Sequence, residues 1–529
     1  MADPPHYGTS SDYQPGLMND VGMMAFWILV IVVFFIVVMI ASRLILRKSR
    51  RLSPGTRKML RILSGLTKPS APITVGRGRR TRLGTRRKTE DHYRMKPALA
   101  SGEAPATATA APAAEPGTAA MSAAAPTLVE RPFVRRRTVA DVAQLPEEAW
   151  PFYDEDEIAA VVEVLRSGKV NQWTGTKVTE FERAYTRYLR NGRAIALANG
   201  SVALELVLQA FGIGPGDEVI VTPRTFVASA FCARLVGATP VFADVDPDSG
   251  NITAATIAPA ITPRTKAIIP VHLGGWPTDM PAIMALARPK GILVIEDCAQ
   301  AHGAEIDGLP VGSFGDAAAF SFCQDKIIST AGEGGLVTLR DEAAYEWAWS
   351  FKDHGKDRGR ALERPTQPGF RWLHDRVGTN WRMTEICAAV GLLQLDKLPQ
   401  WHARRVRNAD IWAEALAPIP GMRVPRPTRD TIGAYYKFYA YVDVDPADNA
   451  RLRDRILADA AAAGVRIFSG SCSEIYREAA FADMKVEPLP VARALGDSSL
   501  MFEVHPTLDT RRLRDRADIV ADIIRNVLA

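Results

Sequence analysis

Two apolar runs of this chain end in groups that can do chemistry together. Ile292 to Ile295 leads into Glu296 and Asp297, and Ala317 to Phe322 leads into a turn that carries Lys326. Short apolar runs of this kind read as buried strands. In an open α/β fold, the carboxyl ends of neighbouring strands deliver their residues to one crevice. A lysine and a carboxylate brought together there are what a pyridoxal phosphate enzyme requires. The lysine holds the cofactor as a Schiff base, and the carboxylate keeps the pyridine nitrogen protonated so that the ring draws electrons. An unpaired ammonium emerging from a buried strand is costly, which separates Lys326 from an ordinary surface lysine.

Other elements must surround that pair. Arg193 to Gly212 reads as strand, tight turn and helix. Gly200 lets the backbone turn closely, and Ser201 is expected to cap the helix, whose free amides make a phosphate seat. Glu218 to Asp246 supplies two strands around a helix, and Lys266 to Val271 another strand. Helices are expected over Asp154–Gly168, with Ile158, Val161, Val162 and Leu165 at helical spacing, and over Thr179–Leu189. Asp297 reads equally as the cap of a helix DCAQAHG, with Gln300 on the same helical face. Phe226 reads as a core aromatic or as a ring platform.

Three segments, EDCAQAHGA, FSF-x3-K-x5-GEGG and GTNWRMTEICAAVGLLQL, resemble the DegT/DnrJ/EryC1/StrS sugar aminotransferases, and the likeness runs from about Trp150 to the C-terminus. The resemblance implies an aspartate-aminotransferase-like α/β fold (fold type I). Its large domain has a mainly parallel sheet, and a smaller α+β domain follows. It further implies that Phe226 stacks on the cofactor ring, that Asp297 holds the ring nitrogen, and that Gln300 reaches the phenolic oxygen. Gly200, Ser201 and Ser321 are then phosphate ligands, and Asn380 reaches the phosphate from a partner subunit, making the active unit a homodimer. Lys326 is the catalytic base and acid; some dehydratases of the family have histidine there. The implied donor is L-glutamate, and the acceptor a nucleotide-linked keto-sugar.

On the acceptor side the chain departs from the family, reading GVRIFSGSCSEIYREAAF where an H-Y-x-P-L-H type segment is usual. Ser471, His505, His354, Arg382 and His302 are the substrate-side candidates there, His302 from behind the first layer. A sugar dehydratase and a non-catalytic membrane scaffold or regulator remain as alternatives.

The N-terminal part is of a different kind. Val21 to Ala41 contains no charged residue, and as a helix it would span the roughly 30 Å hydrocarbon core of a bilayer. Residues 43–89 hold 16 Lys and Arg and no acid, whereas 1–42 hold three Asp and no base. The positive-inside rule then places the N-terminus outside and the enzyme body in the cytoplasm, if translation starts at Met1. The basic arm suits anionic headgroups; lacking interleaved aromatics, it does not suit nucleic acid. The expected organisation is a short outer segment (1–20), membrane helix (21–42), basic arm (43–96), Ala/Pro-rich disordered linker (97–128), cofactor domain (129–398) and small domain (399–529). Five scattered cysteines without a C-x-x-C pair predict reduced thiols and no metal site. Polysaccharide or glycolipid synthesis at a membrane is the pathway this arrangement suggests.

Overall fold

The structure is a computed structural model describing residues 149–529, apart from Gln367 and Arg429. The expected outer segment, membrane helix, basic arm and linker lie outside the described residues. Among the described residues, no helix is long and apolar enough to cross a membrane.

Two helices come first, α1 (Glu155–Ser167) and α2 (Lys177–Leu189). The apolar stripe that marks α1 in the sequence does not face the core: Ile158 and Leu165 are exposed, while Glu157 and Val164 are buried. Glu157 turns inward because it closes the capping box on Asp154 and takes a hydrogen bond from Lys397 at 2.8 Å.

The α/β body follows as β1 (Arg193–Leu197), α3 (Gly200–Ala210), β2 (Glu218–Val221), α4 (Ala228–Leu235) and β3 (Thr239–Phe242). It continues through β4 (Thr265–Ile269), α5 (Met280–Ala287), β5 (Leu293–Asp297), β6 (Ala317–Ser321), β7 (Gly335–Leu339) and α6 (Glu342–Lys352). These seven strands make one sheet in the order β1-β7-β6-β5-β4-β2-β3. Only β7 runs against its neighbours; β6, β5, β4, β2 and β3 pair in parallel. Alternate residues go to opposite layers. Val219 and Val221 join the core under α3, α4 and α6, whereas Ile220 joins the core under α2 and α5. A sheet covered on both faces explains why its strands are apolar runs with no polar alternation.

The helix α7 (Glu385–Leu416) is 32 residues long and contains Pro399. Ala388 and Leu398 pack in the core beneath the sheet, while Ala409, Trp412 and Leu416 pack in a third, C-terminal core. The domain boundary expected after residue 398 therefore falls inside a continuous helix. The C-terminal part is built mainly from β8 (Met422–Arg423), β9 (Phe438–Val442), α8 (Asn449–Ala462), α9 (Pro490–Ser498), β10 (Ser499–Phe502) and α10 (Thr510–Leu528). The three strands form an antiparallel sheet, β8-β9-β10, an α+β layer apart from the large sheet.

Candidate active site

The carboxyl ends of β1, β2, β5 and β6 lie along one edge of the sheet. Asp297 is the last residue of β5, and its strand pairs with β6 through Asp297 opposite Ala319. It is not a helix cap: residues 298–303 form turns, with Ala301 N–H donating to the Cys298 carbonyl at 3.0 Å. Gln300 consequently shares a turn with Asp297, not a helical face. The Asp297 carboxylate is buried, accepts from the Ser229 hydroxyl at 2.7 Å and from the Ala299 amide at 3.1 Å. Burial pushes its pKa up, against the pull of Ser229, Ala299 and the Lys326 charge. A carboxylate in that setting gains most from a cation placed directly opposite it.

Lys326 lies in the loop from β6 to β7, its amide bonded to the Cys323 carbonyl at 3.1 Å. Its Nζ sits 4.9 Å from the centre of the Tyr436 ring and 4.0 Å from Asp325. Trp150 fixes the loop from the other side, donating Nε1–H to the Lys326 carbonyl at 3.0 Å.

Gly200 and Ser321 touch across the edge. A Cβ built on Gly200 would lie 2.7 Å from the Ser321 Cβ and 3.1 Å from its Oγ, so only glycine lets the helix start this close to β6. The cap of α3 is Asn199, whose side chain accepts from the Val202 amide at 3.0 Å. Ser201, expected as the cap, lies inside the first turn and is exposed, because the helix begins two residues earlier than a Ser201 cap would set it. The first amides of a helix lack internal acceptors, so this end, with the Ser321 hydroxyl beside it, is an anion seat. Gln300 is buried and accepts from the Gly274 amide at 2.7 Å, which fixes its carboxamide with Nε2 turned the other way. Phe226 is 66% exposed in the turn after β2. It lines a groove with Thr225, Ser471 and Cys472, so the C-terminal loop and the β2 turn do meet. The Ser471 amide and hydroxyl both contact the Tyr439 hydroxyl, at 3.2 and 3.4 Å.

The remaining candidates are placed differently. His302 is buried, with Nδ1 against the Tyr185 hydroxyl at 2.7 Å and Nε2 against the Ser321 carbonyl at 2.9 Å. Burial lowers its pKa to about 4, so it stays neutral and braces Ser321 from behind, with both nitrogens occupied. That removes it from the substrate side. His354 is exposed on a turn with φ 60° whose amide bonds to the Thr379 carbonyl, the residue before Asn380. Arg382 pairs with buried Asp353 at 2.6 Å, which orders the Asn380 loop, and Asn380 itself is exposed. His505 is buried with Nδ1 2.8 Å from the Thr507 hydroxyl and faces a cavity near Lys326; burial and the Arg405 charge lower its pKa to about 3.

His272, Glu296 and Cys298 lie close enough together to suggest a metal site, but their hydrogen bonds are already committed. His272 Nδ1 accepts from the Thr278 amide at 2.9 Å, and Nε2 faces Glu296 at 3.2 Å. Glu296 accepts three further amides, from Gly312, Phe314 and Gly315, so the trio is a structural clasp.

Sequence reasoning missed Ser229, Tyr436 and Arg405. Ser229 had a signal, a hydroxyl one helical turn after Thr225; the other two come from far along the chain and had none.

These residues fit pyridoxal phosphate: a buried acid for the ring nitrogen, a helix N-terminus that only glycine lets approach the Ser321 hydroxyl, and a lysine whose charge acts on the acid. Gly200→Ala is accordingly expected to weaken pyridoxal phosphate binding by roughly tenfold or more, since overpacking of this kind costs about 1–3 kcal/mol. A fluorescence titration showing unchanged affinity would sink the assignment of that seat.

Comparison with known proteins agrees with the geometry. Residues 151–522 match the DegT/DnrJ/EryC1/StrS aminotransferase family. The chain is 38% identical over 363 residues to a GDP-perosamine synthase of Caulobacter vibrioides, covering 68% of this chain and 93% of that one. It is 36% identical over 340 residues to a UDP-N-acetyl-3-dehydro-alpha-D-glucosamine 3-aminotransferase of Acidithiobacillus ferrooxidans, covering 63% and 84%. The crystal structure of an aminotransferase from Psychrobacter cryohalolentis superposes with a TM-score of 0.70 at 46% identity, covering 73% of this chain and all of that one. The chain belongs to the DegT/DnrJ/EryC1/StrS aminotransferase family and is a pyridoxal phosphate-dependent aminotransferase.

Proposed function

We propose that this enzyme moves the amino group of L-glutamate onto a keto-sugar carried on a nucleotide, for surface polysaccharide or glycolipid synthesis. The observation that carries the reading is the joint placement of Lys326, Asp297 and the Gly200–Ser321 contact on one sheet edge. Relatives named for GDP- and UDP-linked amino sugars support the acceptor class.

When bound, pyridoxal phosphate supplies an electron sink that lets a proton leave the donor carbon. Lys326 takes that proton and returns it, as base and then acid. Asp297, held by Ser229, would supply the fixed negative charge, while the start of α3 and Ser321 would hold the phosphate. Gln300, pinned by Gly274, would offer its free amide to the bound ring, and exposed Phe226 would pack against it.

The active unit of this proposal is a homodimer in which Asn380 acts on the neighbouring site. Asn380 is exposed, and the segment leading to it carries Phe370, Trp372 and Val377 at 76, 82 and 90% exposure, an apolar surface that suits a partner. The proposal also keeps the membrane tether: residues 21–41 anchor the protein, with the enzyme body cytoplasmic. Recovery of the native protein entirely in the soluble fraction would remove the tether and leave the chemistry standing.

The full-length protein loaded with pyridoxal phosphate tests the chemistry. L-glutamate should abolish its visible absorbance and release 2-oxoglutarate, and GDP- or UDP-linked keto-sugars should restore the colour. An absorbance that glutamate leaves unchanged would overturn the donor.

A further inference from the structure

A cavity of about 720 Å³ opens beside the Lys326 loop, lined by Trp150, Tyr153, Arg405, Tyr436, Lys437 and His505 among others. Arg405 comes from the middle of α7 and is 1% exposed. Its Nη1 makes two long contacts, 3.3 and 3.4 Å, to the carbonyls of Tyr435 and Tyr436, and its Nε and Nη2 have no hydrogen-bond partner. A buried guanidinium with idle donors is expensive, and burial lowers its pKa to about 9. Such a group is retained where something arrives to use it.

The charges around it are otherwise settled. Arg466 is held by Glu503 at 2.9 and 3.1 Å, and Lys437 lies 3.9 Å from the same carboxylate. Asp325 takes the Tyr436 hydroxyl and lies 4.0 Å from Lys326. His505 is neutral at physiological pH. Among the described residues, Arg405 is the lining cation that no carboxylate pairs with, and the two wall carboxylates oppose a multiply charged phosphate. A guanidinium fork with two free donors matches the geometry of one carboxylate.

The site is also in reach of the chemistry. The Tyr436 ring lies 4.9 Å from Lys326 Nζ, and the carbonyl of the same residue contacts Arg405. The Trp150 ring lies 4.9 Å from the Arg405 guanidinium, while its Nε1 bonds to the Lys326 carbonyl at 3.0 Å. Lysine and arginine flank the same two aromatic residues.

We propose that Arg405 receives the side-chain carboxylate of the amino donor, so that this cavity selects a dicarboxylic amino acid. The inference rests on the aminotransferase reading with glutamate as donor, and it adds the residue that would choose glutamate. Neither amino group nor cofactor is needed for the first test. Glutarate, which has both carboxylates and no amine, is titrated calorimetrically into the full-length protein, into Arg405→Met and into Arg405→Lys. Removing one partner of a buried charge pair is expected to weaken glutarate binding by about 30-fold or more, and butyrate should bind poorly throughout. In the loaded enzyme, the kcat/KM preference for L-glutamate over L-glutamine should fall by a similar factor in Arg405→Met. Arg405→Lys keeps the charge, loses the fork and carries the same test if the methionine variant does not fold.

Glutarate binding unchanged in both variants would overturn the proposal. So would an equal loss for glutamate and glutamine, which would mean that Arg405 holds the α-carboxylate or only supports the fold. Inorganic phosphate binding more tightly than glutarate through Arg405 would make the cavity a phosphate subsite instead. If glutarate binds through Arg405 but glutamate leaves the loaded enzyme unchanged, the donor reading of the previous subsection fails, and the donor assignment of Arg405 with it. If glutamate reacts and Arg405→Met matches the wild type, only the present inference fails.

Discussion

Lys326→Ala is expected to fold normally, to bind pyridoxal phosphate without forming the covalent link, and to lose about 10⁴-fold or more of its transamination rate. The residue lies in the β6–β7 loop, and its side chain contributes only a cation over Tyr436 and a distant contact with Asp325, so little of the fold depends on it. A shift of the absorbance from the Schiff-base band to that of the free aldehyde, beside an unchanged melting temperature, is the measurement. A variant that keeps even a tenth of the wild-type rate would mean that another group carries the proton.

Asp297→Asn should divide activity from stability. Asparagine keeps one oxygen for the Ala299 amide, now at 3.1 Å, and turns its NH2 toward the Ser229 hydroxyl, now at 2.7 Å, which can accept in place of donating; it removes the charge. Loss of a preorganised charge of this kind costs about 10²–10³-fold in rate. Stability should move the other way. Burial raises the Asp297 pKa above its unfolded value, so the wild-type protein is most favoured at pH below the ordinary carboxylate range. It loses that contribution as pH rises through the raised pKa. The variant has no such loss, and at neutral pH its cofactor-free form should melt above the wild type. Melting curves between pH 4 and 8 decide the point: a variant that melts lower at pH 7 would show that the ionised carboxylate stabilises the free protein.

The sequence made the reacting groups easier to see than their supports. Asp297 and Lys326 were legible because each ends or follows an apolar run, and runs buried on both faces leave an unbroken pattern; Ser321 was legible only through the family resemblance. Gly200 was legible as a strand-to-helix turn, but the cap was misplaced by two residues, since Asn199 and Ser201 are both good capping types and local sequence does not rank them. His302 looked like a site residue because it lies near Asp297 in the chain. The turns over 298–303 rotate it back into the core, where it meets Tyr185 from a helix more than a hundred positions earlier. The stripe on α1 was read correctly as helical, but its burial depended on Lys397, which no local pattern contains. Arg405 was invisible for a related reason: a basic residue on a long helix reads as surface until the packing of Trp150 and Tyr436 encloses it.

The length of α7 has a mechanical consequence. At 1.5 Å per residue its 32 residues make a strut of about 48 Å, beginning beside the Asn380 loop and ending in the C-terminal core. Such a strut transmits displacement along its axis and resists bending except where its ladder is broken. Pro399 is that place, because it cannot donate the hydrogen bond that would close its turn. The Asn380 loop lies on the N-terminal side of that break and Arg405 on the C-terminal side, so one helix carries a residue of the phosphate side and the cavity's guanidinium on opposite sides of its weakest turn.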